Sequence, residues 1–114
     1  MNNKLKQGEI YYADLPDGIG SEQTGTRPVL IVERNHEVEK SPVVTISPVT
    51  SKIKNPGMQT HIVLPRMSGL PKQSMVEVEQ TTTIDKRRLK QRRCTIDEQS
   101  MKSVKRAIKR HFGL

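Results

Sequence analysis

Short apolar runs separated by polar, turn-forming segments cover most of this chain. Runs of this length, rich in β-branched residues, are typical of β-strands. We predict five strands, over residues 9–15, 29–33, 43–50, 60–64 and 74–83, the last of them the longest. The third contains Pro48, which predicts an edge strand or a bulge because proline cannot donate to a sheet ladder.

The C-terminal segment follows a helical period instead. Apolar residues recur there at spacings of three or four and would share one helix face: Met101, Val104, Ile108 and Phe112. A capping box is predicted in which the Thr95 side chain accepts from the Glu98 amide, and Gly113 is a natural stop. A second, short helix is predicted over residues 85–91. Short strands, long loops and one terminal helix indicate a small, strongly bent antiparallel barrel.

Composition sets limits on size and class. The 114 residues, of which 32% are hydrophobic, suit one domain over residues 1–114, with an aliphatic core because Trp is absent and Phe occurs once. So small a core favours a homodimer. The single cysteine, Cys94, excludes an intrachain disulfide and a cysteine-based metal site. No apolar run is long enough for a membrane span or signal peptide, so we expect a cytoplasmic protein without a membrane partner.

The net charge of +8 is concentrated at one end of the chain. Residues 85–114 hold eleven basic and three acidic side chains, whereas the remainder is balanced. A basic segment of this density attracts polyanions, nucleic acid first. An acidic protein partner, or simply a solvated helix face, would account for it equally.

One stretch, residues 20–32, combines a turn-forming loop with an apolar strand and reads GSEQTGTRPVLIV. Pro28 disfavours helix for Arg27 and so places a guanidinium where the loop meets the strand. The planar fork of arginine suits a phosphate, although a surface arginine closing a hairpin has the same local sequence. Because its pKa lies above ~12, arginine is a poor general base.

The other chemistry-bearing residues show no recognised pattern. His36, His61 and His111 have no spacing of a ligand set, and no HExxH, CxxC, P-loop, GxSxG or dinucleotide-binding motif occurs. We therefore predict no metal site and no cofactor. Aromatic residues are too few for a base-stacking platform, so nucleic-acid recognition would depend on hydrogen bonds and shape.

The stretch at residues 20–32 resembles the loop and strand of the MazF/PemK family of toxin ribonucleases. Three further segments follow in the family's order and spacing: GEIYYADL at 8–15, SPVTS at 47–51 and VEQTTTIDKRRL at 78–89. The resemblance implies an SH3-like antiparallel β-barrel of the CcdB/MazF type with a C-terminal helix, and a homodimer. It also implies a type II toxin that cleaves single-stranded mRNA without a metal and is inhibited by a cognate antitoxin. Attack by the 2′-hydroxyl would leave a 2′,3′-cyclic phosphate and a 5′-hydroxyl.

Carried over residue by residue, the resemblance makes Arg27 and Thr50 the catalytic pair. It places RNA-binding residues on the two loops and on the fifth predicted strand: Ser21, Glu22, Gln23, Ser51, Lys52 and Gln80. Lys54 is a further possible phosphate contact. On sequence alone, Thr50 could equally be an ordinary β-branched strand residue and Gln80 a solvent-facing one. Two other functions stay open: a CcdB-like gyrase poison and a nucleic-acid-binding SH3-like module without catalysis.

Overall fold

The computed structural model describes residues 4–34 and 40–114, so that His36 lies outside the described residues. The elements are β1 Glu9–Leu15, β2 Gly25–Ile31, β3 Val43–Thr50, β4 His61–Val63, β5 Met75–Glu77, β6 Thr82–Asp85, β7 Leu89–Thr95 and helix α1 Glu98–Phe112. All pairings between these strands are antiparallel, in the order β4-β5-β3-β2-β1-β7, with β6 also paired to β3. This confirms the prediction of a mainly antiparallel β fold with a C-terminal helix. None of the described helices is long and apolar enough to cross a membrane.

Strand β3 lies at the centre of the sheet, so the prediction of an edge strand is wrong. On one side it pairs with β2. On the other side it pairs with β6 over residues 43–46 and with β5 at Val49 and Thr50. Pro48 falls between these two stretches, where β3 changes partner. Because proline has no N–H to donate, this position leaves the hydrogen bonds of the β3–β5 and β3–β6 ladders intact.

The change of partner along β3 also explains why residues 74–83 do not form one long strand. This segment divides into β5, a 3-10 turn over Val78–Gln80, and β6. The turn carries the chain past Pro48, from one end of β3 to the other. Residues 85–91 are likewise not a helix: only Lys86–Arg88 form a 3-10 turn, and β7 follows. Strand β7 was missed because it is mostly exposed and pairs only with β1 among the described strands, so it lacks an apolar alternation.

Helix α1 begins two residues later than the capping box predicted. Asp97 is the N-cap, its carboxylate accepting from the Ser100 amide at 3.0 Å, while Thr95 ends β7. Gly113 ends the helix in the left-handed conformation, as predicted. The buried face includes Met101 and Val104, but Phe112 is 57% exposed because residues 109–114 project beyond the core.

Aliphatic side chains fill two clusters on opposite faces of the central strands, as the composition predicted. Along β2, Leu30 packs in the cluster that also holds Val104 of α1, whereas Val29 and Ile31 pack in the other. Each cluster takes alternate residues of the same strand because successive side chains point to opposite faces. The central strands are thereby fixed on both faces, and they carry the polar ends described below.

The helix cap makes stability depend on pH. Hydrogen bonds from the Ser100 side chain and amide lower the pKa of Asp97 below its usual 3.8. The cap therefore stabilises the fold above that value, and its contribution is lost as the pH falls through the folded pKa. Asp97→Asn keeps an accepting oxygen at the cap but has no carboxylate to protonate. Between about pH 5 and about pH 2, we therefore expect its melting temperature to fall less than that of the unmodified chain. Equal falls in thermal melts followed by circular dichroism would contradict this.

Candidate active site

An open pocket of about 460 Å³ lies where two loops meet the ends of β2, β3 and β4. Seven of the eight predicted site residues line it: Ser21, Glu22, Gln23, Arg27, Thr50, Lys52 and Gln80. Lys54 lines it as well. The eighth, Ser51, lines an adjoining pocket of about 280 Å³. Arg27 and Thr50 line both pockets, so they lie at the boundary between two open spaces.

The sheet fixes the backbone of Arg27, and the preceding loop holds its side chain. Strand β2 begins at Gly25, earlier than predicted, and Arg27 pairs with Ala13 of β1. Its side chain is half-buried, and its Nε donates to the Thr24 carbonyl at 2.8 Å. Among the described residues, no hydrogen bond uses the two terminal nitrogens of this guanidinium. Those nitrogens form the free end of a positioned fork, which is the arrangement that binds a phosphate through two parallel hydrogen bonds.

Thr50 is the last residue of β3 and is only 4% exposed. Its Oγ1 accepts from the Lys52 amide at 3.1 Å, which fixes the first turn of the next loop. The hydroxyl proton is not used by this bond and can be donated to a ligand oxygen. Thr50 is thus a β-branched strand residue, which was one of the two predicted alternatives. It also lines the pocket.

Gln80 holds the loop at residues 19–23 against the sheet. Its Oε1 accepts from the Gln23 amide at 2.8 Å, and its Nε2 donates to the Ser21 carbonyl at 2.9 Å. A third bond joins Gln23 Nε2 to Glu77 Oε1 at 2.6 Å. Each polar atom of the Gln80 amide therefore makes one hydrogen bond to the loop. A second N–H and a second oxygen lone pair remain for a ligand.

His61, Glu77 and Glu79 form the inner wall of the pocket, and sequence reasoning missed them as a group. His61 Nε2 lies 2.6 Å from Glu79 Oε2, and its Nδ1 lies 2.9 Å from the Lys54 carbonyl, to which it donates. Their proximity follows from the register, since His61 is paired with Glu77 across β4 and β5. The alternation of Glu77 and Glu79 within one β run was the available signal, but the partner strand of that run could not be known.

The surroundings shift the pKa values of this group. Burial alone would lower the pKa of His61, but hydrogen bonds to Glu79 and to the Lys54 carbonyl outweigh it and raise the pKa above its usual range. Burial, reinforced by the nearby charge of Glu79, raises the pKa of Glu77. The pocket thus holds ionisable groups that differ from their solution behaviour, as functional sites often do.

Two other residues considered from sequence lie away from this pocket. His111 is exposed in the last turn of α1, its ring edge-on to that of Phe112 at 5.1 Å. Cys94 is half-buried, and burial raises the pKa of its thiol. A thiol of raised pKa is poorly reactive, which agrees with a packing role.

Comparison with known proteins gives a consistent result. The model of a family described as the PemK-like, MazF-like toxin of type II toxin–antitoxin system matches residues 6–112. The Endoribonuclease MazF of Staphylococcus saprophyticus is 35% identical over 111 residues, which are 96% of this chain and 92% of that protein.

Solved structures confirm the fold. A crystal structure of MazF from Deinococcus radiodurans matches with a TM-score of 0.86 at 20% identity, over 99% of this chain and 100% of that one. An endoribonuclease from a mycobacterial species, in complex with its cognate antitoxin, matches with a TM-score of 0.80 at 20% identity, over 96% of each chain. The chain belongs to the family of PemK-like, MazF-like toxins of type II toxin–antitoxin systems.

Proposed function

We propose that this chain is an endoribonuclease toxin that cleaves single-stranded mRNA at the boundary between the two pockets. One observation supports this site: Arg27, whose terminal nitrogens make no hydrogen bond among the described residues, and Thr50 both line the two open spaces. A strand of RNA could lie in both pockets with its scissile phosphate between them. The relative from S. saprophyticus is named an endoribonuclease, which supports the reaction class.

The reaction we propose is attack of the 2′-hydroxyl on the adjacent phosphate, leaving a 2′,3′-cyclic phosphate and a 5′-hydroxyl. Charge accumulates on the phosphoryl oxygens in the transition state, and a fixed cation with fixed donors stabilises it without reorganisation. Arg27 supplies that cation, and Thr50 donates to a phosphoryl oxygen. Neither role requires a metal ion, which is why we propose a metal-independent reaction.

The remaining contacts divide between the two pockets. Ser21, Glu22 and Gln23 present loop amides, carbonyls and side chains to one stretch of RNA, together with Gln80. Lys52 and Lys54, both exposed on the loop after β3, are placed to contact phosphates. Ser51 faces the adjoining pocket and would contact RNA on the other side of the cleaved bond.

The partners follow from the same surfaces. We propose a homodimer whose activity is inhibited by a cognate antitoxin. An extended acidic and hydrophobic tail of that antitoxin would lie over the pocket around Arg27. The mycobacterial structural neighbour was solved with its own antitoxin. The outer face of α1 is a second surface that could bind an anionic partner. Its basic side chains are exposed: Lys102, Lys105, Arg106, Lys109 and Arg110. Acting on mRNA, the protein would work in the cytoplasm.

The direct test is to incubate the purified chain with a long unstructured RNA in EDTA and to map the fragment ends. We expect discrete cuts at a short sequence, with cyclic phosphate on one side and 5′-hydroxyl on the other. Binding that falls with salt but leaves the RNA intact would favour the non-catalytic nucleic-acid-binding module. Intact RNA together with inhibition of purified gyrase would favour a gyrase poison.

Removing the Gln80 amide should slow cleavage without unfolding the chain. The loop at residues 19–23 makes three hydrogen bonds to the side chains of Gln80 and Glu77, and Gln80→Ala removes two of them. Misplacing substrate contacts by about 1 Å can cost about 100-fold, so we expect a loss of about 10- to 100-fold in kcat/KM. Gln99→Ala, on the exposed face of α1, is the matched control. Unchanged cleavage by Gln80→Ala would show that the loop contacts are dispensable.

A further inference from the structure

The inner wall of the pocket has the composition of a metal site. His61, Glu77 and Glu79 each offer one ligand atom, and these atoms all lie within 4.8 Å of one another. The three side chains come from rigid elements rather than from a loop. His61 and Glu77 are direct partners in the β4–β5 ladder, and Glu79 follows two residues later in the 3-10 turn. The side chains of His61 and Glu77 therefore point to the same face of the sheet. Glu79 reaches the same place from the turn, with its Oε2 2.6 Å from His61 Nε2.

The described residues do not satisfy all the polar atoms of the cluster formed by His61, Glu77 and Glu79. His61 and Glu77 are buried, whereas the Glu79 side chain is 28% exposed. Its Oε1 atom is nevertheless buried and has no hydrogen-bond partner among the described residues. Within the described chain, His61 is the one cationic side chain that hydrogen-bonds to either carboxylate. Buried carboxylate oxygens normally have partners, so an unpartnered one within a group of ligand-type residues needs an explanation.

We propose that His61, Glu77 and Glu79 bind one divalent cation of the zinc type, through His61 Nε2 and one oxygen of each carboxylate. The cation would replace the proton between His61 and Glu79, which is released to solvent, because an imidazole nitrogen must be deprotonated to coordinate. It would also give Glu79 Oε1 a partner, which the described residues do not supply. Imidazole favours zinc over magnesium or calcium, which prefer oxygen ligands alone.

The surrounding hydrogen bonds are those of a metal-binding histidine and carboxylate. Metal-binding histidines almost always donate their other ring nitrogen to a carbonyl or carboxylate. His61 Nδ1 has this arrangement, lying 2.9 Å from the Lys54 carbonyl and 3.1 Å from that of Asn55. Glu77 Oε1 accepts from Gln23, which leaves its second oxygen for the cation. Three protein ligands leave a fourth position open toward the pocket.

The test is calorimetric titration of the untagged chain with ZnCl₂, after removal of metal with EDTA and dialysis, in the absence of RNA. We expect saturable binding of one ion per chain and a zinc-dependent rise in melting temperature. His61→Gln and Glu77→Gln should each weaken binding by about 10- to 100-fold or more. His111→Gln, which alters an exposed histidine outside the pocket, should bind as the unmodified chain does.

Two features keep the test decisive. His61→Gln removes a partly buried ion pair and could unfold the chain, but Glu77→Gln leaves the pair between His61 and Glu79 intact. Absence of one-to-one binding by the unmodified chain would overturn the proposal, as would unchanged affinity in folded Glu77→Gln. The result is independent of the proposed ribonuclease activity, since that activity is assayed in EDTA and zinc binding is measured without RNA.

Discussion

Replacing Arg27 by alanine is expected to lower kcat for RNA cleavage by about 100- to 1000-fold. The reason is that Arg27 offers a fixed charge with free terminal nitrogens at the boundary between the pockets, where charge would develop on the scissile phosphate. The loss should fall mainly on kcat, because an interaction made chiefly in the transition state affects kcat more than KM. Single-turnover cleavage of a long unstructured RNA in EDTA measures it.

Two further variants separate the possible roles of this arginine. Arg27→Lys keeps the charge but not the planar fork, so it should recover only part of the rate if two parallel hydrogen bonds matter. Arg66→Ala removes an exposed arginine outside the two pockets that border Arg27 and should cleave normally. The only described hydrogen bond of the Arg27 side chain is to the Thr24 carbonyl, so the alanine variant should fold. Equal cleavage by Arg27→Ala and the unmodified chain would remove Arg27 from the mechanism.

Replacing Gly69 by alanine is expected to lower the free energy of unfolding by about 2–4 kcal/mol. Gly69 has φ +94°, in the region that favours glycine, and a Cβ there would overlap the carbonyl oxygen of Arg93 in β7. The neighbouring chain cannot move away cheaply, because the clash is with backbone and Arg93 Nε also donates to the Gly69 carbonyl at 3.1 Å. Urea unfolding followed by circular dichroism measures the change.

Two other glycines serve as matched controls for this prediction. Gly25 has φ +76° but no atom within 4 Å of a built Cβ, so Gly25→Ala reports the backbone strain alone. Gly57 has neither a positive φ nor a close atom, so Gly57→Ala should be nearly neutral. The expected order of destabilisation is Gly69, then Gly25, then Gly57. If Gly69→Ala were no worse than Gly25→Ala, the loop at Gly69 would be able to move away from β7.

The strands that carry an apolar signal could be predicted from the sequence, and those that do not could not. Strands β1 and β3 have the predicted bounds because their residues are buried in long β-type runs. Strand β7 has the exposed sequence LKQRRCT and exists because β1 offers an unpaired edge. The helix was predicted correctly, but its cap moved to Asp97 because Thr95 is held in β7.

The candidate site divides in the same way. Arg27, Thr50 and the loop residues were named from local chemistry and a family resemblance. In the structure Arg27 and Thr50 line both pockets, and each of the loop residues lines one of them. The group of His61, Glu77 and Glu79 was not predicted, although the sequence shows all three residues. Which carboxylate faces which histidine depends on the register of β4 against β5.

The sequence by itself determined the class of the fold, the aliphatic core, the terminal helix and the residues able to bind a phosphate. Those properties depend on side-chain chemistry and on local periodicity, which can be read without knowing the partners of a strand. Only the tertiary structure decided that β3 changes partner at Pro48, that Gln80 holds the loop, and that a histidine and two carboxylates meet. Each of these results depends on strand pairing between distant segments, and a shift of one residue in register would turn the same side chains to the other face.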